Sequence, residues 1–247
     1  DGANSYMPAT YNNWLVALSI LIAILASYAA LNLASRIAQS EGRGTYYWLF
    51  GGAFSMGIGI WSMHFVGMLG FHLPIPVAYD LPITLTSVLP AIAASALALV
   101  IFRLRHLTPG ALSLSALVMG LGIVAMHYTG MAAMRMQPPI RYDPILFGLS
   151  VLIAVVASAA ALWLARFFMS AEVRAGDIYR KTGSAVVMGF AIAGMHYTGM
   201  AAASFAPNSI CLTAPYGVAG GSLGTRTPIS ATSVTPAVGS GSPPTGA

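Results

Sequence analysis

Charge is what this chain has least of. Charged residues make up 7% of its 247 residues, six acidic and eleven Lys or Arg, where a soluble domain carries roughly 25%. A surface so poor in charge cannot be solvated all round, which excludes an ordinary soluble globule. There is one cysteine, Cys211, which excludes an intrachain disulfide. No nucleophile–base pair, phosphate-cradling loop or carboxylate dyad is present, so hydrolase and kinase chemistry have no residues to rest on and no catalytic role is assigned. The chain opens on Asp1 and shows no charged n-region followed by a cleavage site. Leu15 to Ala34 is apolar throughout and long enough to span, so it reads as a retained first helix. The net charge of +5 and pI near 9.6 raise the question of nucleic acid. The basic residues sit in short loops between apolar runs, so no nucleic-acid partner is expected.

What the chain has is apolar sequence: 57% hydrophobic residues and a mean hydropathy of +0.77. Six runs reach the ~20 residues a membrane helix needs: 14–35, 46–70, 82–102, 111–134, 145–168 and 184–205. The expected fold is all-α, a polytopic helix bundle of about six spans whose first partner is the lipid bilayer. After Pro207 the texture turns to Gly, Ser, Thr and Pro, so residues 1–206 read as one membrane domain and 207–247 as a flexible tail. Loops one, three and five carry Arg36, Arg43, Arg103, Arg105, Arg166, Arg174, Arg180 and Lys181; the opposite side carries Arg135, Arg141 and Arg226. By the positive-inside rule the first group is cytoplasmic, which places the N-terminus on the periplasmic side of a bacterial inner membrane.

Three segments align without a gap: Met56-Gly-Ile-Gly-Ile-Trp-Ser-Met63-His64-Phe65-Val66-Gly67-Met68, Met119-Gly-Leu-Gly-Ile-Val-Ala-Met126-His127-Tyr128-Thr129-Gly130-Met131 and Met188-Gly-Phe-Ala-Ile-Ala-Gly-Met195-His196-Tyr197-Thr198-Gly199-Met200. The spacings are 63 and 69 residues. The preceding runs repeat more faintly: Ala26-Ser27 with Leu31, Ala94-Ser95 with Leu99, Ala157-Ser158 with Leu162. The unit is therefore a helix pair present three times, and three pairs of equal orientation imply a pseudo-threefold axis along the membrane normal.

An intramembrane imidazole is costly without a partner, and His64, His127 and His196 fall at one depth. Counting from the start of each run they lie ~18–27 Å in, at 1.5 Å per residue, in the outer half of the bilayer. Imidazole nitrogen with thioether sulfur favours a soft or borderline metal, copper best of all. Met68, Met131 and Met200 lie four residues on, share the histidine face and are the first choice as ligands. Met63, Met126 and Met195 point about 100° away and come second. Two other readings stand beside this one. A copper- or haem-handling transporter or redox enzyme would use the same donors. A metal-free anchor would use Met as core filler and His as an interhelical hydrogen-bonder.

The remaining candidates are simpler. His72 and His106 read as loop residues. Asp80 and Asp143 read as helix N-caps, and Trp14, Trp48, Tyr46 and Tyr47 as interfacial anchors. Cys211 is a candidate accessory soft ligand on the outer side.

Met126-His127-Tyr128-Thr129 and Met195-His196-Tyr197-Thr198, together with Trp14-Leu-Val-Ala-Leu-Ser and Ile24-Leu-Ala-Ser-Tyr28, resemble the MHYT family of bacterial membrane sensor domains over roughly residues 12–206. The resemblance implies a signalling domain that binds copper and senses oxygen, carbon monoxide or nitric oxide. It also implies a cytoplasmic output such as a diguanylate cyclase or phosphodiesterase of cyclic di-GMP. The first motif departs from the pattern, reading Met63-His64-Phe65-Val66 without the two hydroxyls. The family's usual seventh helix does not follow Pro207, and no output domain is present; by the charge count the C-terminus then lies outside.

Overall fold

The computed structural model describes residues 6–104, 108–170 and 177–219. The apolar runs become helices α1 (Asn13–Gln39), α2 (Arg43–Leu69), α3 (Leu81–Thr86), α4 (Val88–Leu104), α5 (Pro109–Ala132), α6 (Pro144–Ser170) and α7 (Asp177–Ala202). Taking α3 and α4 as one span, six are long and apolar enough to cross a membrane, and the chain is a multi-pass membrane protein. The run expected as one helix over 82–102 is interrupted at Ser87. Pro90 has no N–H to give the carbonyl four residues back, and the backbone turns there. Arg105 and His106 in the third loop, Arg174 in the fifth and all residues past 219 lie outside the described residues.

Around the bundle each helix packs on the next: α1 on α2, α2 on α4, α4 on α5, α5 on α6, α6 on α7, and α7 back on α1. The most apolar stretches of α2, α5 and α7 are 44%, 44% and 50% buried, against 22%, 28% and 22% for α1, α3–α4 and α6. The helices carrying the motif are therefore the inner three. Outward faces carry Leu18, Leu21, Leu25, Leu117, Leu121, Leu152 and Phe190, all exposed, which only lipid can cover. The glycine after each opening methionine makes the close packing possible. A Cβ on Gly57, Gly120 or Gly189 would fall under 3.0 Å from the backbone of Ile92, Val155 or Ile24. Each inner helix thus lies backbone to backbone on the outer helix of the next pair.

One end of the bundle is closed by short strands: β1 (Thr10–Tyr11), β2 (Phe71–His72), β3 (Ala78–Tyr79), β4 (Met136–Gln137), β5 (Arg141–Tyr142), β6 (Ala203–Ser204), β7 (Ile210–Cys211) and β8 (Val218–Ala219). They pair antiparallel as β1–β2, β3–β8, β4–β7 and β5–β6. The threefold pattern holds here too. Asn12, Asp80 and Asp143 each cap an outer helix with a side-chain oxygen and donate a backbone N–H to Gly70, Ala133 and Ala202 at the end of the inner helix of the same pair. Both expected Asp caps are therefore in place. The chain does not lose structure at Pro207. Residues 210–219 supply β7 and β8 to the loops between spans, with Cys211 and Thr213 buried. Pro207 and Pro215 stand in turns before and between these strands, and turn residues resemble a linker in composition.

Candidate metal centre

His64, His127 and His196 meet at the bundle axis, each completely buried. They stand five, five and six residues before the ends of α2, α5 and α7, ~7–9 Å below the strand-capped end. The helices begin earlier than the apolar runs do, so the histidines lie deeper along them than the sequence count placed them. Their Nδ1 atoms converge, at 3.1 Å for His64 to His196, 3.1 Å for His64 to His127 and 3.3 Å for His127 to His196. The rings meet edge to face with centroids 4.9, 5.0 and 5.2 Å apart. Rings in mutual contact leave no slot for a porphyrin between them.

A triangle of nitrogens has a specific difficulty. A neutral imidazole nitrogen is either an N–H or a bare lone pair, not both. A hydrogen bond needs one of each. Two states cannot alternate around three atoms, so at least one of the three contacts always sets like against like. A cation at the centre removes the conflict, because three lone pairs can then point at it together. The spacing fits: three ligands of a tetrahedral site with metal–nitrogen bonds of ~2.0–2.1 Å lie ~3.3–3.4 Å apart. Among the described residues, these three His are the group of His, Cys, Asp or Glu whose ligand atoms converge this way.

The far side of each ring is seated on glycine. A Cβ on Gly67, Gly130 or Gly199 would approach Nε2 of His196, His64 or His127 to under 3.0 Å. Each imidazole therefore fills the space left by the glycine three residues past the next histidine. Those Nε2 atoms have no hydrogen-bond partner. Among the described residues no carbonyl or carboxylate orients the rings, as usually happens at metal-bound histidine; packing against glycine, against the other two rings and against Phe65, Tyr128 and Tyr197 orients them. These glycines were not among the expected site residues. Their signal was present as the Gly that follows each of the three motif histidines by three.

The methionines divide by level. Met68, Met131 and Met200 are buried with Phe71, Tyr79, Met134, Met136, Phe205 and Cys211 in the apolar cluster under the strands. Met126 and Met195 are buried with Ile60, Met119 and Ile123 in the cluster on the other side, and Met63 is fully buried. Met68, Met131 and Met200 thus lie on the strand side of the histidine ring, and Met126 and Met195 on the other. The Tyr79 hydroxyl donates to the Met68 carbonyl at 3.1 Å.

The motif's aromatic residue ties each inner helix to the outer helix of the next pair. Tyr128 meets Ser150 at 2.8 Å and Tyr197 meets Ser19 at 2.8 Å. The first copy has Phe65 instead, and there Trp61 takes over, donating its ring N–H to the Thr84 carbonyl at 2.9 Å and to Ser87 at 3.1 Å. Ser19, Ser87 and Ser150 are equivalent positions of the repeat, so the contact survives the loss of the hydroxyl. Two other candidates stand apart from the ring. The Cys211 thiol lies against the Met134 carbonyl at 3.0 Å and Thr213 Oγ1 at 3.1 Å, joining two loops. His72 Nδ1 lies 3.0 Å from the Gly70 carbonyl.

The profile of the MHYT family, described as "Bacterial signalling protein N terminal repeat", matches residues 2–44, 57–115, 120–176 and 189–241. The chain belongs to the MHYT family. Three of the matched segments start on Gly57, Gly120 and Gly189, and the first two of these run from a histidine helix into the outer helix that follows it. The MHYT chain is similar to the "Bifunctional diguanylate cyclase/cyclic di-GMP phosphodiesterase MucR" of Pseudomonas aeruginosa, at 54% identity over 87% of this chain and 31% of that protein. It is 46% identical to the "Cyclic di-GMP phosphodiesterase NbdA" of the same organism over 78% of this chain and 24% of that protein. It is 41% identical to the "Signaling protein YkoW" of Bacillus subtilis over 79% and 24%. The chain thus spans a third or less of the length of these relatives. No solved structure matches it.

Proposed function

We propose that this domain is a membrane-embedded sensor that binds one copper ion through Nδ1 of His64, His127 and His196, and that it responds to a diatomic gas (oxygen, carbon monoxide or nitric oxide) or to redox state. The observation that carries the reading is the odd ring of three buried nitrogens at 3.1–3.3 Å, whose conflict a cation resolves. When bound, copper supplies a redox-active centre with an open position for a small ligand. The chain's own residues do the rest. The three imidazoles hold the ion in a dry site. Met68, Met131 and Met200, one turn toward the strands, offer thioethers to the remaining position, with Met63, Met126 and Met195 as the second set. Because each ring rests on the next helix's glycine, a ring that shifts must move a neighbouring helix, and the three inner helices respond together.

In this reading the strand-capped end and the N-terminus face the periplasm across a bacterial inner membrane, and the basic loops at the opposite end support that orientation. Relatives named for making and degrading cyclic di-GMP support an output in cyclic di-GMP signalling, carried by a domain or protein beyond these residues. Copper analysis tests the reading. Protein purified from copper-replete cells and reloaded with Cu(I) is compared with a His64/His127/His196→Ala variant. About one equivalent of copper that requires the histidines is expected; equal copper in the two proteins defeats the proposal.

A further inference from the structure

Each motif copy opens on a methionine eight residues before its histidine: Met56, Met119 and Met188. Eight residues is just over two turns, ~12 Å along the helix. These three therefore form a second level on the same axis, on the side of the histidines away from the strands. All three line a single cavity of about 30 Å³, together with Ile60, Ile123 and Ile192. Two complete sets of repeat-equivalent residues around one space bring that space to the pseudo-threefold axis, from which it extends toward α1 and α6. The isoleucines, between the methionines and the histidines in sequence, separate the two levels, so an ion at one would share no ligand with an ion at the other.

The chemistry of the lining is narrow. Among the described residues no imidazole and no carboxylate lines the cavity. Ser27 and Ser158 reach it from α1 and α6. Ser27 gives its proton to the Ala23 carbonyl, but the Ser158 hydroxyl is buried without a partner. The volume would hold one or two waters, yet a buried water wants two to four polar partners and only one hydroxyl is unmet. Three thioethers and a hydroxyl are a neutral, soft donor set. Without a counter-charge, the desolvation cost of a divalent ion is about four times that of a monovalent one, because it scales with the square of the charge.

We propose that Met56, Met119 and Met188 form a second cation site, for Cu(I), separate from the histidine ring and independent of its occupancy. The test is Cu(I) titrated anaerobically into the full chain in lipid nanodiscs, with all 13 methionines labelled at the methyl carbon. Single Met56→Leu, Met119→Leu and Met188→Leu variants, which keep side-chain volume, assign the three signals. Those signals are expected to shift together on copper addition and still to shift in a His127→Ala variant. The triple Leu variant is expected to bind one equivalent fewer, or that equivalent at least about tenfold more weakly. The proposal is overturned if the three signals stay in place as Cu(I) is added, or if the triple variant binds as many equivalents with unchanged affinity. A shift of the three signals with no histidine-dependent copper would sink the histidine reading and leave this one standing.

Discussion

At the scale of single residues, the glycine seats make the sharpest prediction. Gly130→Ala drives a methyl group into His64 Nε2, and overpacking of this kind costs about 1–3 kcal/mol. The variant should melt earlier in detergent and, if the histidine ring holds copper as proposed, retain less of it. Gly194→Ala is the control. It lies in the same helical context, a Cβ there meets nothing within 4 Å, and Ala is the better helix former by up to about 1 kcal/mol, so its melting temperature should hold or rise. Equal destabilisation of the two would show that the seats do nothing. The histidines themselves were legible in the sequence, because three identical Met-His pairs at regular spacing put three costly side chains at one depth. Which nitrogen faces inward was not legible. That depends on how far the next helix lets the ring sit back, which a single helix does not encode.

At the scale of helices, the inner-to-outer ties are the contacts to break. Tyr128→Phe removes the 2.8 Å bond to Ser150 and should cost about 1 kcal/mol, read as a lower melting temperature. Trp61→Phe removes two hydrogen bonds at once and should cost more than Tyr128→Phe. If Trp61→Phe is the milder of the two, the tryptophan does not stand in for the missing hydroxyl. The six spans were readable because lipid demands long apolar runs, and the Asp80 and Asp143 caps were readable from their position before those runs. The role of Trp61 was not. It sits four residues before the position where the other copies carry Tyr, and only the geometry of the turn at Ser87 brings its N–H to the same serine level.

At the scale of the whole molecule, two expectations follow. The strand cap depends on chain past residue 206: Thr213 Oγ1 meets the carbonyls of Ala78 and Met134, and the Leu212 N–H bonds to Arg135 O at 3.2 Å. A chain ending at Ala206 should melt lower than one ending at Ala219, because Met134 and Met136 lose their cover. Orientation is tested in a Cys211→Ser background with single cysteines at Ser40 and Pro138. A membrane-impermeant thiol reagent added to intact cells should modify Pro138→Cys and spare Ser40→Cys; the reverse pattern would invert the topology. The bundle was legible from sequence as three helix pairs, while the cap was not, because two-residue strands leave no alternating pattern to read.

The glycine seats close in a cycle: His64 rests on Gly130, His127 on Gly199 and His196 on Gly67. A single helix pair therefore holds both halves of its own interface, an imidazole that protrudes and a notch that receives one. Three separate copies of such a pair could satisfy one another by rotation alone, as in a ring of identical subunits joined head to tail. The covalent chain reads as a homotrimer later threaded into one polypeptide. Once threaded, its copies were free to diverge, as Phe65 and Trp61 have done, provided that each still fitted the neighbour it had inherited.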